Sequence, residues 1–92
     1  MRDSLFRALA DPTRRKILEL LAKQDHTAGE IAERFPIAFA SVSHHLSILK
    51  AAGLVAAERE GQFIRYRLNT TVFQELMRYF MNRFADGGGP HA

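Results

Sequence analysis

Residues 38 to 52 place hydrogen-bonding side chains on one face of a predicted helix and apolar side chains on the other. Val42, Leu46 and Leu49 recur at three- and four-residue spacing and form the apolar stripe. Hydroxyl and imidazole groups on the opposite face can hydrogen-bond to base edges or phosphates, and an alanine can contact a thymine methyl group. The candidate DNA contacts of this helix are Ala40, Ser41, Ser43, His44 and Ser47, with Lys50 as a phosphate contact near the helix end.

The two adjacent histidines of this helix cannot share a face, because neighbouring residues point in different directions. We assign the outward, base-reading position to His44 and place His45 at the edge of the core, in a structural hydrogen bond. Ala38 is the expected N-cap. Because alanine has no capping oxygen, its presence costs about 1 kcal/mol of local helix stability.

Two predicted strands follow, at residues 54–59 and 63–68, around a glycine-containing turn of Glu60, Gly61 and Gln62. An isolated two-stranded hairpin is only marginally stable, so this one is expected to pack against the helical core. The candidate DNA contacts of this hairpin are Arg59, Gln62 and Arg65, which suit phosphates or a narrow minor groove. Arg67 lies nearer the helical core than the turn, and we interpret it as a solvent-facing residue of the sheet rather than a DNA contact.

The remaining elements are predicted from caps and periodicity. Helices are expected over residues 1–10 and 13–23, the second starting at Asp11-Pro12. A capping box from Thr27 to Glu30 opens a third helix that ends at Phe35, before Pro36. Gly53 ends the next helix. The last helix starts at Asn69-Thr70-Thr71, with Thr71 and Gln74 as a second capping box. Residues 14–16 are basic, and indicate either a solvated face or a phosphate contact.

The terminal helices carry more apolar surface than a small core can bury. At 92 residues the chain is near the lower limit for a single core and is expected to pair with a second copy. The predicted dimer interface consists of Leu5, Phe6, Leu9, Phe73, Leu76, Met77, Phe80, Met81 and Phe84. We assign residues 1–86 to one DNA-binding and dimerisation domain and residues 87–92 to a disordered tail.

Composition narrows the function classes. The net charge is +3 and the isoelectric point about 9.8, which favour a polyanionic partner. No Asp or Glu lies between Glu33 and Glu58, the segment that would approach phosphates. With no cysteine, disulfides and thiolate metal sites are excluded. Apolar runs are too short for a signal peptide or membrane span, so we expect a cytoplasmic protein.

Catalysis is not indicated by any motif in the chain. There is no nucleophile with its base, no carboxylate pair in a predicted cleft and no phosphate-cradling glycine loop. The main alternative to a DNA-binding function is that the same fold, a winged helix, serves as a protein-protein interaction adaptor without binding DNA. Steep salt dependence of duplex binding would favour DNA recognition over the adaptor.

The order helix, helix, helix-turn-helix, hairpin, helix is that of a mainly α, winged helix-turn-helix fold with a β-hairpin wing. The segments Leu9 to Leu18, Val42 to Leu49 and Ala52 to Val55 resemble the ArsR/SmtB family of bacterial transcriptional repressors, over roughly residues 4 to 84. Within that family the chain is most similar to the SdpR-type autorepressors, which are metal-independent. The segments that carry this closer resemblance are Thr27 to Ala32, Ser43 to Lys50, Gly61 to Ile64 and Leu68 to Val72.

The resemblance implies a homodimer, paired through the first and last helices, that binds double-stranded operator DNA of its own operon and represses transcription. Many members of the family release DNA when they bind a metal. This chain lacks the cysteine pair of those members, and its histidines at 26, 44, 45 and 91 are poorly placed to converge on one ion. We therefore expect no metal and no cofactor. The inducing signal would be a protein, another non-metal ligand or the protein's own concentration.

Overall fold

The structure is a computed structural model that describes residues 3–85. The helices are α1 (Asp3–Leu9), α2 (Pro12–Lys23), α3 (Ala28–Ala32), α4 (Phe39–Ala51) and α5 (Thr70–Phe80), and α5 continues into a π-helical turn at Met81–Ala85. The strands are β1 (His26–Thr27), β2 (Val55–Glu60) and β3 (Phe63–Leu68). The tail predicted at residues 87–92 lies outside the described residues.

Two of the predicted helix starts are confirmed. The carboxylate of Asp11 accepts a hydrogen bond from the backbone N–H of Arg14 at 3.0 Å, and Pro12 occupies the first turn of α2. At α3 the hydroxyl of Thr27 accepts from the N–H of Glu30 at 3.2 Å, while the Glu30 carboxylate accepts from the N–H of Thr27 at 2.8 Å. Both caps satisfy N–H groups that have no partner inside the helix.

One predicted helix end and one predicted helix cap are wrong. The third helix ends at Ala32 rather than Phe35, and the chain tightens into turns in which the Arg34 N–H donates to the Ile31 carbonyl at 3.0 Å. The second predicted capping box, at Thr71 and Gln74, is replaced by Asn69. The amide oxygen of Asn69 accepts from the Val72 N–H at 3.5 Å, and its amide nitrogen donates to the Gly53 carbonyl at 2.9 Å. The second bond links the start of α5 to the end of α4, which favours Asn69 as the cap.

The predicted hairpin is confirmed, and a third strand joins it. In the antiparallel pair of β2 and β3, Val55 faces Leu68 and Glu60 faces Phe63, with Gly61 at a positive φ of 62° in the turn. Sequence reasoning missed β1, which pairs antiparallel with the other edge of β3 and gives the order β1-β3-β2. This short strand ties the wing to the segment between α2 and α3.

The core is formed where α1, α2, α3, α4 and the base of the wing meet. Its largest fully buried side chains are Ile17, Ile31, Val42, Leu46, Leu49 and Leu54. Gly53 ends the helical segment at a positive φ of 82°, a conformation that glycine adopts without strain, and directs the chain into β2. The arrangement confirms a winged helix-turn-helix protomer in which α4 is the second helix of the helix-turn-helix unit.

The basic start of α2 has a role that sequence reasoning did not foresee. The guanidinium of Arg14 donates to the carbonyls of Ala8 at 2.9 Å and Arg7 at 3.1 Å, and that of Arg15 donates to the carbonyl of Leu9 at 2.7 Å. These carbonyls end α1, where a helix leaves acceptors unpaired and its dipole favours cations. The two arginines therefore cap the preceding helix, and Arg14 is neither a freely solvated residue nor a free phosphate contact.

None of the helices within residues 3–85 combines the length and the apolar character needed to cross a membrane.

Candidate nucleic-acid interface

The outward face of α4 carries the side chains that the sequence predicted as DNA contacts. Val42, Leu46 and Leu49 are fully buried and hold the helix on the core. The predicted contacts Ala40, Ser41, His44, Ser47 and Lys50 are exposed, while Ser43 is half-buried. The face is therefore open to solvent along the length of the helix.

The two histidines of α4 lie in different environments. His44 is exposed, whereas the side chain of His45 is 17% exposed. The Nδ1 atom of His45 lies 3.2 Å from Nη1 of Arg14 and 3.9 Å from the carboxylate of Asp11. This confirms the structural hydrogen bond predicted for His45 and ties α4 to the start of α2.

The N-terminus of α4 is open, because Ala38 is its N-cap and makes no side-chain capping bond, as predicted. The first turn is held by backbone bonds alone, with the carbonyl of Ala38 accepting from Ser41 at 3.0 Å and from Val42 at 3.1 Å. A helix N-terminus carries partial positive charge that attracts phosphate. This end of α4 therefore combines favourable electrostatics with small side chains at Ala38, Ala40 and Ser41, beside the exposed ring of Phe39.

The three candidate residues of the wing differ in whether their side chains already have a partner within the protein. Gln62 is exposed at the turn, and the exposed Arg59 reaches the carbonyl of Gly61 at 3.2 Å. Arg65 instead forms an ion pair with Glu60, with Nε 2.9 Å from the carboxylate oxygen. The hydrogen bond and charge of Glu60 raise the pKa of Arg65 above its ordinary value. A phosphate would have to compete with Glu60 for Arg65, so Arg59 and Gln62 are the more accessible of the three candidate residues.

A cleft of about 500 Å³ separates the start of α4 from the tip of the wing. Its lining includes two predicted DNA contacts, Ser43 and Gln62, and two aromatic residues that sequence reasoning did not select, Phe39 and Phe63. The aromatic side chains are 55% and 57% exposed. The available signal was the four-residue spacing that puts Phe39 on the same helix face as Ser43.

The predicted dimer interface divides into buried and exposed parts. Leu5 and Leu76 are only 2% and 7% exposed and belong to the core of the protomer, and Phe6, Leu9 and Phe73 are half-buried. The remaining predicted residues, Met77, Phe80, Met81 and Phe84, are exposed along α5 and the π-helical turn.

An aromatic cluster connects the two terminal helices on this exposed side. The ring of Phe80 lies 6.2 Å from that of Phe6 and 5.6 Å from that of Phe84, measured between centroids. Tyr79, which sequence reasoning did not select, lies 5.5 Å from Phe80 and 6.2 Å from Phe6. The cluster leaves the rings of Phe80 and Phe84 exposed beside the half-buried Phe6.

Histidine and carboxylate side chains do not gather into a metal centre within residues 3–85. No three of them lie close enough to hold one ion. His26 is buried in β1, and its Nδ1 lies 3.7 Å from the Glu30 carboxylate. This pair belongs to the junction between β1 and α3, away from the two histidines of α4.

Comparisons with known proteins agree with this architecture. The family model described as "Bacterial regulatory protein, arsR family" matches residues 11–57. The chain is 54% identical over 80 residues to the transcriptional repressor SdpR of Bacillus subtilis, covering 87% of this chain and 89% of that protein. It is 46% identical over 61 residues to a probable mercury resistance operon repressor of Streptomyces lividans, covering 66% of this chain but only 49% of that relative.

A solved ArsR-like transcriptional regulator from Rhodococcus sp. RHA1 superimposes with a TM-score of 0.82 at 35% identity, covering 90% of this chain and 78% of that one. The likeness extends beyond the helix-turn-helix segment to the wing and the terminal helices. The chain belongs to the arsR family of bacterial regulatory proteins.

Proposed function

We propose that this protein is a sequence-specific, double-stranded DNA-binding transcriptional regulator that acts as a homodimer and represses its own operon. The observation that carries the proposal is the exposed serine and histidine face of α4, mounted on a fully buried apolar stripe. A helix packed in this way can enter the major groove without disturbing the core. Such a regulator would act in the bacterial cytoplasm, where its DNA lies.

Charge supports the same proposal. The segment between Glu33 and Glu58 contains no carboxylate, and it supplies all of α4 and the start of the wing. Lys50 is exposed within this segment and Arg59 just beyond it, and both can neutralise phosphates. The base-reading groups are serines and one histidine rather than a bidentate arginine or asparagine. We therefore expect moderate base discrimination, supplemented by groove shape.

Pairing through α1 and α5 would supply the second half of the interface. A twofold dimer presents two recognition helices to successive major grooves about 34 Å apart and reads half-sites one helical turn from each other. The exposed residues Met77, Phe80, Met81 and Phe84 offer the apolar surface for such a contact. An operator with an imperfect palindrome follows from that symmetry.

Release from DNA, in this proposal, is not triggered by a metal ion. The chain has no cysteine, and its described histidines and carboxylates form no three-residue cluster. A protein, another non-metal ligand or a fall in the concentration of the repressor would end repression. Addition of zinc, cadmium or arsenite to the DNA complex should leave its affinity unchanged, and release by any of them would contradict this part of the proposal.

Footprinting on DNA upstream of the protein's own gene tests the proposed function directly. We expect protection of two half-sites about one helical turn apart, with affinity that falls steeply as salt rises from about 50 to 200 mM. A scrambled duplex of the same composition is the control. Equal affinity for both duplexes would contradict sequence-specific regulation.

The runner-up is the adaptor that binds proteins instead of DNA. The apolar side chains exposed in the cleft between α4 and the wing are the observation in its favour, since such surfaces also serve protein contacts. Absent or salt-insensitive duplex binding in the same titration would favour the adaptor.

A further inference from the structure

Phe39 is exposed on the first turn of the recognition helix, where an aromatic side chain gains nothing from the core. Its side chain is 55% exposed, although the same helix buries Val42, Leu46 and Leu49 completely. Exposed apolar area of this size costs free energy in water unless a partner covers it. The position of Phe39 indicates what that partner is.

Phe39 lies on the helix face that carries the proposed DNA contacts. Ser43 and Ser47 follow it at four-residue intervals, and Lys50 follows after three more. Residues at these spacings lie one above the other along a helix. Phe39 is the N-terminal member of this row, and the N-terminal residues of a recognition helix are those that reach base edges in known helix-turn-helix complexes.

The surroundings of Phe39 suit an apolar group of the DNA rather than a charged one. It lines the cleft shared with Ser43, Gln62 and Phe63. Among residues 3–85, the lining of this cleft includes no charged side chain, and its one ionisable group is the phenol of Tyr66. In the major groove, thymine is the base that presents an apolar group, its C5-methyl, and phenylalanine is among the side chains that contact it.

We propose that Phe39 reads a thymine by packing against its C5-methyl group, at one position in each half-site. The inference rests on the proposed DNA-binding function and deepens it by naming a specificity-determining residue. Ser43 contacts a neighbouring base or phosphate from the next turn of the same row. The operator therefore contains a thymine whose methyl group contributes to affinity.

The test begins with the full chain and its preferred DNA. Wild-type protein is used to enrich duplexes from a random pool about 30 base pairs long, enough for two half-sites one turn apart with flanks. Each thymine of one half-site is then replaced in turn by deoxyuridine, which removes the methyl group and keeps every hydrogen-bonding group of the base. Dissociation constants are measured for each duplex.

At one position the replacement should weaken wild-type binding about fourfold, which corresponds to ~0.8 kcal/mol for one buried methyl group. Phe39→Ala should bind the thymine duplex more weakly and lose all sensitivity to deoxyuridine at that position. Phe39→Leu, which keeps an apolar side chain, should retain the sensitivity. Phe63→Ala is the matched control, since Phe63 is equally exposed in the cleft, and it should retain the fourfold difference.

Several results would overturn the inference. The first is that Phe39→Ala weakens binding to the thymine and deoxyuridine duplexes by the same factor. The second is that deoxyuridine replacement weakens binding at none of the thymines. The third is that Phe63→Ala, rather than Phe39→Ala, abolishes the sensitivity. Circular dichroism checks that the variants fold, and Phe39→Gln replaces Phe39→Ala if the latter does not. If wild-type protein enriches no duplex at all, the proposed function itself fails and this inference falls with it.

Discussion

Arg14 joins α1, α2 and α4 through one guanidinium group. It donates to the carbonyls of Arg7 and Ala8 at the end of α1 and lies 3.2 Å from Nδ1 of His45 in α4. Its residue type predicted a charged surface, and only the packing of three helices turned it into a cap. These contacts form only when the helices pack together, so no local sequence pattern around Arg14 predicts them.

Arg14→Ala should destabilise the protein by about 1 to 3 kcal/mol, because it leaves helix-end carbonyls of α1 without their charged donor. Urea unfolding followed by circular dichroism measures the effect. Lys16→Ala is the matched control, since Lys16 is exposed on the same helix and should change stability by less than about 0.5 kcal/mol. Equal stability of the two variants would show that the Arg14 contacts contribute nothing.

His44→Ala should weaken operator binding by about 1 to 3 kcal/mol and leave the fold intact, because the imidazole is exposed and its proposed partner is a base. A gel-shift titration against the footprinted duplex gives the affinity, and thermal unfolding gives the stability. His45→Ala should show the opposite balance, with loss of stability as the first effect. Unchanged DNA affinity of His44→Ala would remove this residue from the interface.

At the level of elements, the structure depends on side chains that end one helix and begin the next. Asp11 starts α2, Asn69 starts α5 and contacts the carbonyl of Gly53, and the Thr27–Glu30 box starts α3. The caps at Asp11 and Thr27 were predictable, because the capping residue and its N–H lie within one turn of sequence. Sequence reasoning starts α5 at Asn69 but assigns the cap to Thr71. The Asn69 cap is also local, whereas its second bond, to the Gly53 carbonyl, spans 16 residues and has no local signal.

The wing shows the same division between local and distant contacts. Its two long strands and their glycine turn follow from alternation and turn chemistry. The added strand at His26 and Thr27 is too short to produce a pattern, and it forms because β3 offers an unpaired edge. The ion pair between Arg65 and Glu60 likewise depends on which side chains the hairpin register brings together.

Acid should weaken the cap of α2. The hydrogen bond from the Arg14 N–H, with the charge of Arg14 and His45 nearby, lowers the pKa of Asp11 below its ordinary value. A lowered carboxyl pKa means that the ionised form stabilises the fold, so this contribution is present near neutral pH and is lost as the pH falls through about 4 and below.

Asp11→Asn separates the charge from the hydrogen bond, because the amide keeps an acceptor oxygen. We expect the variant to melt at a lower temperature than the wild type at pH 7 and the difference to shrink at pH 3, as followed by circular dichroism. A difference that stays constant over this range would contradict a role for the ionised carboxylate.

At the scale of the whole molecule, the exposed apolar face of α5 is the basis for the proposed dimer. Phe80 lies at the centre of the aromatic cluster formed with Phe6, Tyr79 and Phe84. A single chain leaves Phe80 39% exposed and Phe84 65% exposed. Pairing with a second copy would cover both side chains, and this is why we propose a dimer paired through this face.

Phe80→Asp should convert the proposed dimer into a monomer or an insoluble chain, because an unpaired carboxylate in an apolar interface is strongly unfavourable. Sizing chromatography with light scattering measures the mass. Asn82→Asp places the same charge at an exposed polar position on the same segment and should remain a dimer. A soluble dimer of Phe80→Asp would move the interface elsewhere.

The sequence by itself determined the helix-turn-helix, the wing and the outward face of α4, since each follows from periodicity, caps or turn residues within about one turn of chain. Tertiary structure decided what Arg14 caps, which edge β1 joins, that Leu5 and Leu76 belong to the protomer core, and that Phe39 shares a cleft with the wing. These outcomes depend on which surfaces come into contact when the elements pack. Contacts between different elements produce no local sequence pattern from which they could be predicted.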